Sequence, residues 1–171
     1  MAVRLLMLQS HYRSSVNFTW ESLDAANNRL LDLRALAALQ WQPIPTDLPH
    51  DATTMSFEDV GIELAKYLQD DLGTPQALAF LSDVSKQIQT VLIDTAMVAR
   101  LQAMLRDIDT ALGLRLADEP DITREQKQSI TAREQARADR DWAKSDELRD
   151  ELQKQGIGLR DTEHGAIWHR L

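Results

Sequence analysis

Between Ala132 and Asp150 the chain runs Ala-Arg-Glu-Gln-Ala-Arg-Ala-Asp-Arg-Asp-Trp-Ala-Lys-Ser-Asp-Glu-Leu-Arg-Asp, and Asp161 follows in a short extended segment. Arginine pairs with phosphates and base edges, an aromatic ring stacks on a base, and a carboxylate accepts from a base amino or imino group. Arg137, Trp142 and Asp161, gathered in one small module, therefore have the chemistry to grip and read unpaired RNA bases. Trp142 sits at a bend between Asp141 and Lys144, and Ser145 and Asp146 share its side of a helix. Those neighbours place it at the surface, either stacking on a base or packing on its own module. Arg133, Arg137, Arg140 and Lys144 recur at spacings of three and four. Two readings of that stripe stand side by side: a phosphate-binding face, or a solvated face paired with Glu134 and Asp141.

Other chemistries find little support. The chain has no cysteine, which removes thiolate metal sites, disulfides and a thiol nucleophile. Its four histidines, His11, His50, His164 and His169, never stand at i and i+4, and there is no glycine-rich phosphate loop. No metal or cofactor is expected in this chain. Asp70-Asp71 reads as the end of a helix rather than a metal site. His11, Tyr12 and Arg13 form a polar contact patch or else fill a loop over the first helix pair.

The formal net charge of −8 is unevenly distributed. Residues 1–123 hold 9 basic and 17 acidic side chains, whereas residues 124–171 hold 10 of each. The acidic excess lies wholly in the first part, and nucleic-acid binding needs a local positive stripe rather than a positive total. No apolar run reaches the roughly 18 residues of a membrane span, and the amino terminus does not read as a secretory signal. A cytoplasmic protein without a membrane partner is expected.

The elements that must position these residues are mostly helices. Ala2 to about Ser14 reads as the end of a helix, with a loop at His11–Ser15. Thr19 is the predicted N-cap of a long amphipathic helix through Leu23, Ala26, Leu30, Leu33 and Ala37 to about Leu39. Pro43, Pro45 and Pro49 mark a linker over 43–55. Ser56 with Asp59 opens a helix that Asp70–Gly73 ends, and Thr74 as N-cap with Pro75 at the first helical position starts another carrying Leu78, Leu81, Val84, Ile88, Val91 and Leu92. A further helix runs from about Asp94 to Leu112 and stops at Gly113. Residues 118–122 form a second linker. Thr123 and Gln126 make a capping box, helix resumes from Trp142, Gly156 caps it, and strands are predicted at 157–162 and 166–170, turned at His164-Gly165. Trp168 is expected in the core. The fold class is mainly α: an antiparallel helical bundle with a small carboxy-terminal α/β appendage, a helix-turn-helix plus a short β-hairpin. Its parts are 1–42, the linker, 56–117, the second linker, and 123–171.

Four stretches in order carry a resemblance. Leu5–Ser14 is similar to an "LL-S-HYRS" segment, and Asp70–Leu78 to a "DD-FNTP-AL" turn. Ala136–Arg149 is similar to "AR--KDW--AD-IRD-L", and Gly156 through Trp168 to "GI-L-D---GT-WR". The chain resembles the carboxy-terminal half of bacterial cysteinyl-tRNA synthetase across nearly its whole length.

The resemblance implies a helical bundle joining a catalytic domain to a small domain that reads the GCA anticodon of tRNA(Cys). By motif, Arg137, Trp142, Asp146 and Asp161 match positions that contact or stack on anticodon bases; Asp146 enters only on this ground. His11 and Arg13 match the segment that joins the catalytic fold to the helices. The implied partners are the tRNA(Cys) anticodon stem-loop and the parent's catalytic domain, not DNA. The ATP motifs and zinc ligands of the family are absent from the sequence, so the chain alone is not expected to activate cysteine, although the parent would be an ATP-dependent ligase using zinc. It is expected to be a fragment of that ligase or a freestanding RNA-binding relative. The alternative is a non-enzymatic helical adaptor. Gly73 departs from the family's Asn, and Ala166-Ile167 from its Thr pair.

Overall fold

Side-chain caps fix where the chain turns into helix. The computed structural model describes residues 1–43, 57–88, 93–162 and 165–171. Thr19 is extended, its hydroxyl accepts from the Ser22 N–H at 3.1 Å, and Ser22 bonds back to the Thr19 N–H. This reciprocal box starts α2, Trp20–Ala38. Before it lies the short α1, Ala2–Leu8, which ends well ahead of Ser14. One turn of 3₁₀ helix, Leu39–Trp41, finishes α2, and the Trp41 indole N–H donates to the Glu119 carbonyl.

Then come α3, Phe57–Gln69, and α4, Thr74–Ile88. The first helical bond of α4 runs from Ala77 to the Gly73 carbonyl, so Gly73 rather than Thr74 holds the capping position. A Cβ on Gly73 would stand 2.9 Å from the Tyr67 carbonyl oxygen. The family's Asn therefore needs a slightly different turn. α5, Val98–Leu112, begins four residues later than its apolar pattern suggests, because the Asp94 carboxylate accepts the Met97 N–H and builds a turn there. Gly113 closes α5 in the left-handed conformation (φ 63°). The linker beyond residue 43, the Ser56 cap, Val91-Leu92 and the His164 corner lie outside the described residues.

The chain divides into two compact units, Met1–Glu119 and Pro120–Leu171. The first is a helical bundle whose core combines Leu5 and Leu6 of α1, Leu30 and Leu33 of α2, and Phe57 and Leu64 of α3. Leu78 and Leu81 of α4 and Leu101, Leu105 and Ile108 of α5 complete it. Burying such side chains is the main stabilising term, roughly 1.5–3 kcal/mol for each large apolar group removed from water. After α5, the Asp109 carboxylate accepts the N–H groups of Leu116 and Ala117, both at 2.8 Å, which turns Leu114 and Leu116 into the interior.

The second unit pairs α6, Arg124–Ala138, with α7, Trp142–Lys154, and adds an antiparallel hairpin, β1 Ile157–Thr162 and β2 Gly165–Arg170. Thr123 and Gln126 form the predicted box on α6. Ile130, Leu148, Leu152, Ile157 and Trp168 are buried, and Trp168 pairs across the hairpin with Leu159. The architecture is mainly α with a small two-stranded sheet at the carboxy terminus. No helix among the described residues is long and apolar enough to cross a membrane.

Candidate nucleic-acid interface

The turn between α6 and α7 sets the positions of the basic residues. Arg140 occupies the left-handed region (φ 61°), the Asp141 N–H bonds to the Ala136 carbonyl, and the Arg140 N–H to the Arg137 carbonyl. These are the two bonds of a left-handed helix cap, with arginine where glycine is usual. Asp141 then caps α7, its carboxylate accepting the Lys144 N–H at 3.1 Å. The chain reverses in three residues, and Trp142 becomes the first residue of α7, 57% exposed.

The four basic residues consequently do not share one helix face. Arg137 is exposed on α6, Arg140 lies in the turn with no ion pair among the described residues, and Lys144 on α7 pairs with Glu147 at 2.7 Å. Arg133 departs most from the stripe. Its side chain is 2% exposed, and its two terminal nitrogens donate to the two oxygens of Asp161 at 2.8 and 3.1 Å. Glu134 and Asp141, the partners a solvated face would use, are committed to backbone N–H groups at Ala166 and Lys144.

Three of the residues singled out for base recognition do come together. The Arg137 guanidinium carbon lies 5.9 Å from the centroid of the Trp142 ring, within range of a cation–π contact. One Arg137 nitrogen stands 3.4 Å from Asp161 Oδ2. The Asp161 side chain is 43% exposed. The hydrogen bonds from Arg133 hold its carboxyl below the usual carboxylate range, and the charges of Arg133, Arg137 and Arg149 act in the same sense against partial desolvation. Asp161 in turn raises the Arg133 pKa further. A carboxylate has about four acceptor positions on two oxygens. Arg133 takes two, so Asp161 keeps acceptor capacity on its exposed side. Asp146 lies four residues after Trp142 on α7, exposed, and its charge also favours protonated Arg133. The cluster of Arg137, Trp142 and Asp161 thus combines a stacking surface, a cation and an ionised carboxylate.

Sequence reasoning missed Glu134. Its Oε1 accepts the Ala166 N–H at 2.7 Å, anchoring β2 to α6. Helical spacing alone carries no signal for that bond.

In the first unit His11, Tyr12 and Arg13 meet at one residue, Asp71. The Tyr12 hydroxyl donates to Asp71 Oδ1 at 2.8 Å, Arg13 pairs with the same oxygen at 3.0 Å, and His11 Nε2 lies 2.9 Å from the Asp71 carbonyl. The bond to Asp71 raises the Tyr12 pKa. Two stretches far apart in sequence are thereby tied together. Among the described residues no group of three or more His, Cys, Asp or Glu side chains is placed to hold a metal ion.

The chain thus combines a helical bundle with a small unit bearing an arginine–tryptophan–carboxylate cluster, and comparisons with known proteins give it a family. Residues 119–168 match the family model described as the cysteinyl-tRNA ligase anticodon binding domain, and residues 65–117 match the DALR domain. The chain is 33% identical to the cysteine–tRNA ligase of Magnetococcus marinus, over 98% of this chain and 39% of that protein. It is 35% identical to that of Methylococcus capsulatus, over 98% of this chain and 38% of that protein, and 34% identical to that of Alkalilimnicola ehrlichii, over 99% and 38%. The chain belongs to the cysteine–tRNA ligase family, of which it has the carboxy-terminal, anticodon-binding portion. It spans less than two fifths of the length of each of these three relatives.

Proposed function

We propose that this chain binds tRNA(Cys) and reads its GCA anticodon, in the service of cysteinyl-tRNA aminoacylation. The observation that carries the reading is the Arg137–Trp142–Asp161 cluster, with a half-exposed indole beside a guanidinium and an ionised carboxylate. In this reading Trp142 stacks on an unstacked anticodon base, Arg137 donates to acceptor edges or phosphate, and Asp146 and Asp161 accept from base amino or imino groups. Arg140 and Lys144 add phosphate attraction from the rim, while Arg133 contributes from inside. Residues 123–171 are the reading module, and the mechanism is recognition without bond chemistry.

A second role rests on a separate observation. Phe18 and Trp20 form an edge-to-face pair with 48% and 72% exposure, in the segment that follows His11 and Arg13. Large aromatics left in water suit docking to a protein surface, here the catalytic domain of a cysteine–tRNA ligase, with His11 and Arg13 held at the junction by Asp71.

The test is a titration of the full chain against a tRNA(Cys) anticodon stem-loop and a scrambled-anticodon control, at two salt concentrations. Preference for GCA supports anticodon reading. Binding of either loop should weaken steeply as salt rises, because phosphate contacts release counterions. Equal affinity for both loops would remove the base-reading role, and no RNA binding at all would leave the adaptor reading.

A further inference from the structure

We infer that Arg133 is a positioning residue for base readout, fixing from within the module the orientation and charge of the Asp161 carboxylate. The inference rests on the anticodon-reading proposal. The Arg133 side chain is itself 2% exposed, whereas that of Asp161, which it holds, is 43% exposed. The fork of the guanidinium matches the carboxylate two-for-two, a geometry that fixes the carboxylate plane as well as its charge. A lysine in its place would supply a point charge without that plane.

Stability alone does not explain an arginine here. Among the described residues the buried Arg133 Nε has no hydrogen-bond partner, and the cost of burying that guanidinium offsets part of what its pair with the half-exposed Asp161 contributes. What the arginine does supply is a fixed acceptor at the surface. The next residue completes the device. Asp161 and Ala166 are cross-strand partners. Arg133 holds the side chain of one, and Glu134 holds the backbone N–H of the other. Two adjacent residues of α6 thus clamp both strands at a single rung, so that the backbone of the hairpin and the Asp161 carboxylate are held from the same helix. Because Arg133 satisfies Asp161 from behind, Arg137 needs only a longer approach of 3.4 Å and remains exposed beside Trp142.

The experiment uses the full chain and four RNA hairpins, one with the GCA loop and three with one anticodon base changed in each. Arg133→Met keeps the buried volume and leaves no orphaned buried charge, so it should retain the helical circular dichroism of the wild type. Asp161→Asn identifies which base the carboxylate reads. At that base, Arg133→Met should lose about tenfold of discrimination, the double variant should lose no more than Asp161→Asn alone, and Arg133→Lys should recover only part. In the RNA-free chain, a ¹³C titration should show the Asp161 carboxyl moving up toward the ordinary carboxylate value in Arg133→Met. A folded Arg133→Met with discrimination intact overturns the inference, as does uniform weakening across all four hairpins or an unmoved Asp161 titration. If Arg133→Met does not fold, Arg133→Lys carries the same comparison; loss of fold in both makes Arg133 structural only and also overturns it. A wild-type chain that does not distinguish the hairpins sinks the anticodon reading itself, an outcome distinct from discrimination that survives Arg133→Met.

Discussion

Arg133 and Asp161, 28 positions apart, meet through two parallel hydrogen bonds with the cation inside the module and the anion at its surface. The polarity of that arrangement matters. An exposed cation with an internal carboxylate would favour phosphate alone, whereas an exposed carboxylate held by an internal cation presents an acceptor that a base donor can meet. It also joins the two structural halves of the module, helix pair and hairpin, through a charged group that titrates.

Acid should therefore loosen the hairpin. The folded-state pKa of Asp161 is lowered, first by its hydrogen bonds to Arg133. A depressed carboxyl stabilises the fold above its unfolded value, near 4, and that contribution is lost as pH falls through the depressed folded value. Asp161→Asn should lower the melting temperature at pH 7, and the gap from wild type should close as pH falls below about 4. Because Asp161 is 43% exposed, solvent screening keeps the effect modest, on the order of 1 kcal/mol. Melting curves of both proteins from pH 7 to pH 2 check this, and a gap that persists at pH 2 contradicts it.

Trp142 separates binding from stability. At 57% exposure it contributes little to the core, so Trp142→Ala should leave the melting transition nearly unchanged. Loss of a base stack worth about 1–3 kcal/mol should weaken anticodon-loop binding roughly 5- to 150-fold. Fluorescence anisotropy with a labelled hairpin measures the one and calorimetry the other. Undiminished affinity would assign the indole to packing instead.

Gly165 is required twice over. Its φ of +119° lies where side chains are strained, and a Cβ there would stand 2.8 Å from Glu134 Oε1. Gly165→Ala should displace the Glu134 carboxylate from the Ala166 N–H and cost about 1–3 kcal/mol. Hydrogen exchange should quicken at Ala166 and its strand neighbours while the α4 and α5 amides keep their protection; unchanged exchange at Ala166 would contradict the clamp.

Legibility in the sequence followed the range of the interaction. The Thr19 and Thr123 caps, the Gly113 stop and the helix–turn–helix at Asp141 were readable because each depends on residues within four or five positions. Trp168 in the core was readable from strand alternation. The fate of Arg133 was not, because helical spacing puts it in register with Arg137 and only Asp161, supplied by a distant strand, decides which side is inside. The Glu134–Ala166 bond and the convergence of His11, Tyr12 and Arg13 on Asp71 are likewise long-range. The place of Arg140 in the turn was not legible for the opposite reason: its spacing continues the basic stripe, while the glycine expected of a left-handed cap is missing.

Asp71 anchors the other end of the resemblance. Asp71→Ala removes the acceptor for the Tyr12 hydroxyl and the partner of Arg13, and places alanine at φ 51°. Asp71→Asn keeps an acceptor and tolerates that backbone. The alanine variant should lose about 1–2 kcal/mol and the asparagine variant clearly less, measured by urea unfolding. Equal losses would mean that the charge on Asp71, not its geometry, holds the junction segment.

Arg140 provides the sharpest separation of folding from recognition. It sits at φ 61° in the cap that ends α6, a conformation costing a side-chain-bearing residue roughly 1 kcal/mol and glycine almost nothing. Its side chain is exposed and carries no ion pair among the described residues that could offset that cost. Arg140→Gly should therefore stabilise the protein, by up to about 1 kcal/mol after glycine's greater unfolded-state entropy is counted. If the arginine is kept at this turn for RNA, the same variant should bind every anticodon hairpin less tightly and with a shallower salt dependence, without a change in base preference. A protein that is more stable yet weaker at low salt would identify Arg140 as a phosphate contact. A more stable protein with unaltered binding would leave the arginine at that turn without a role in RNA binding.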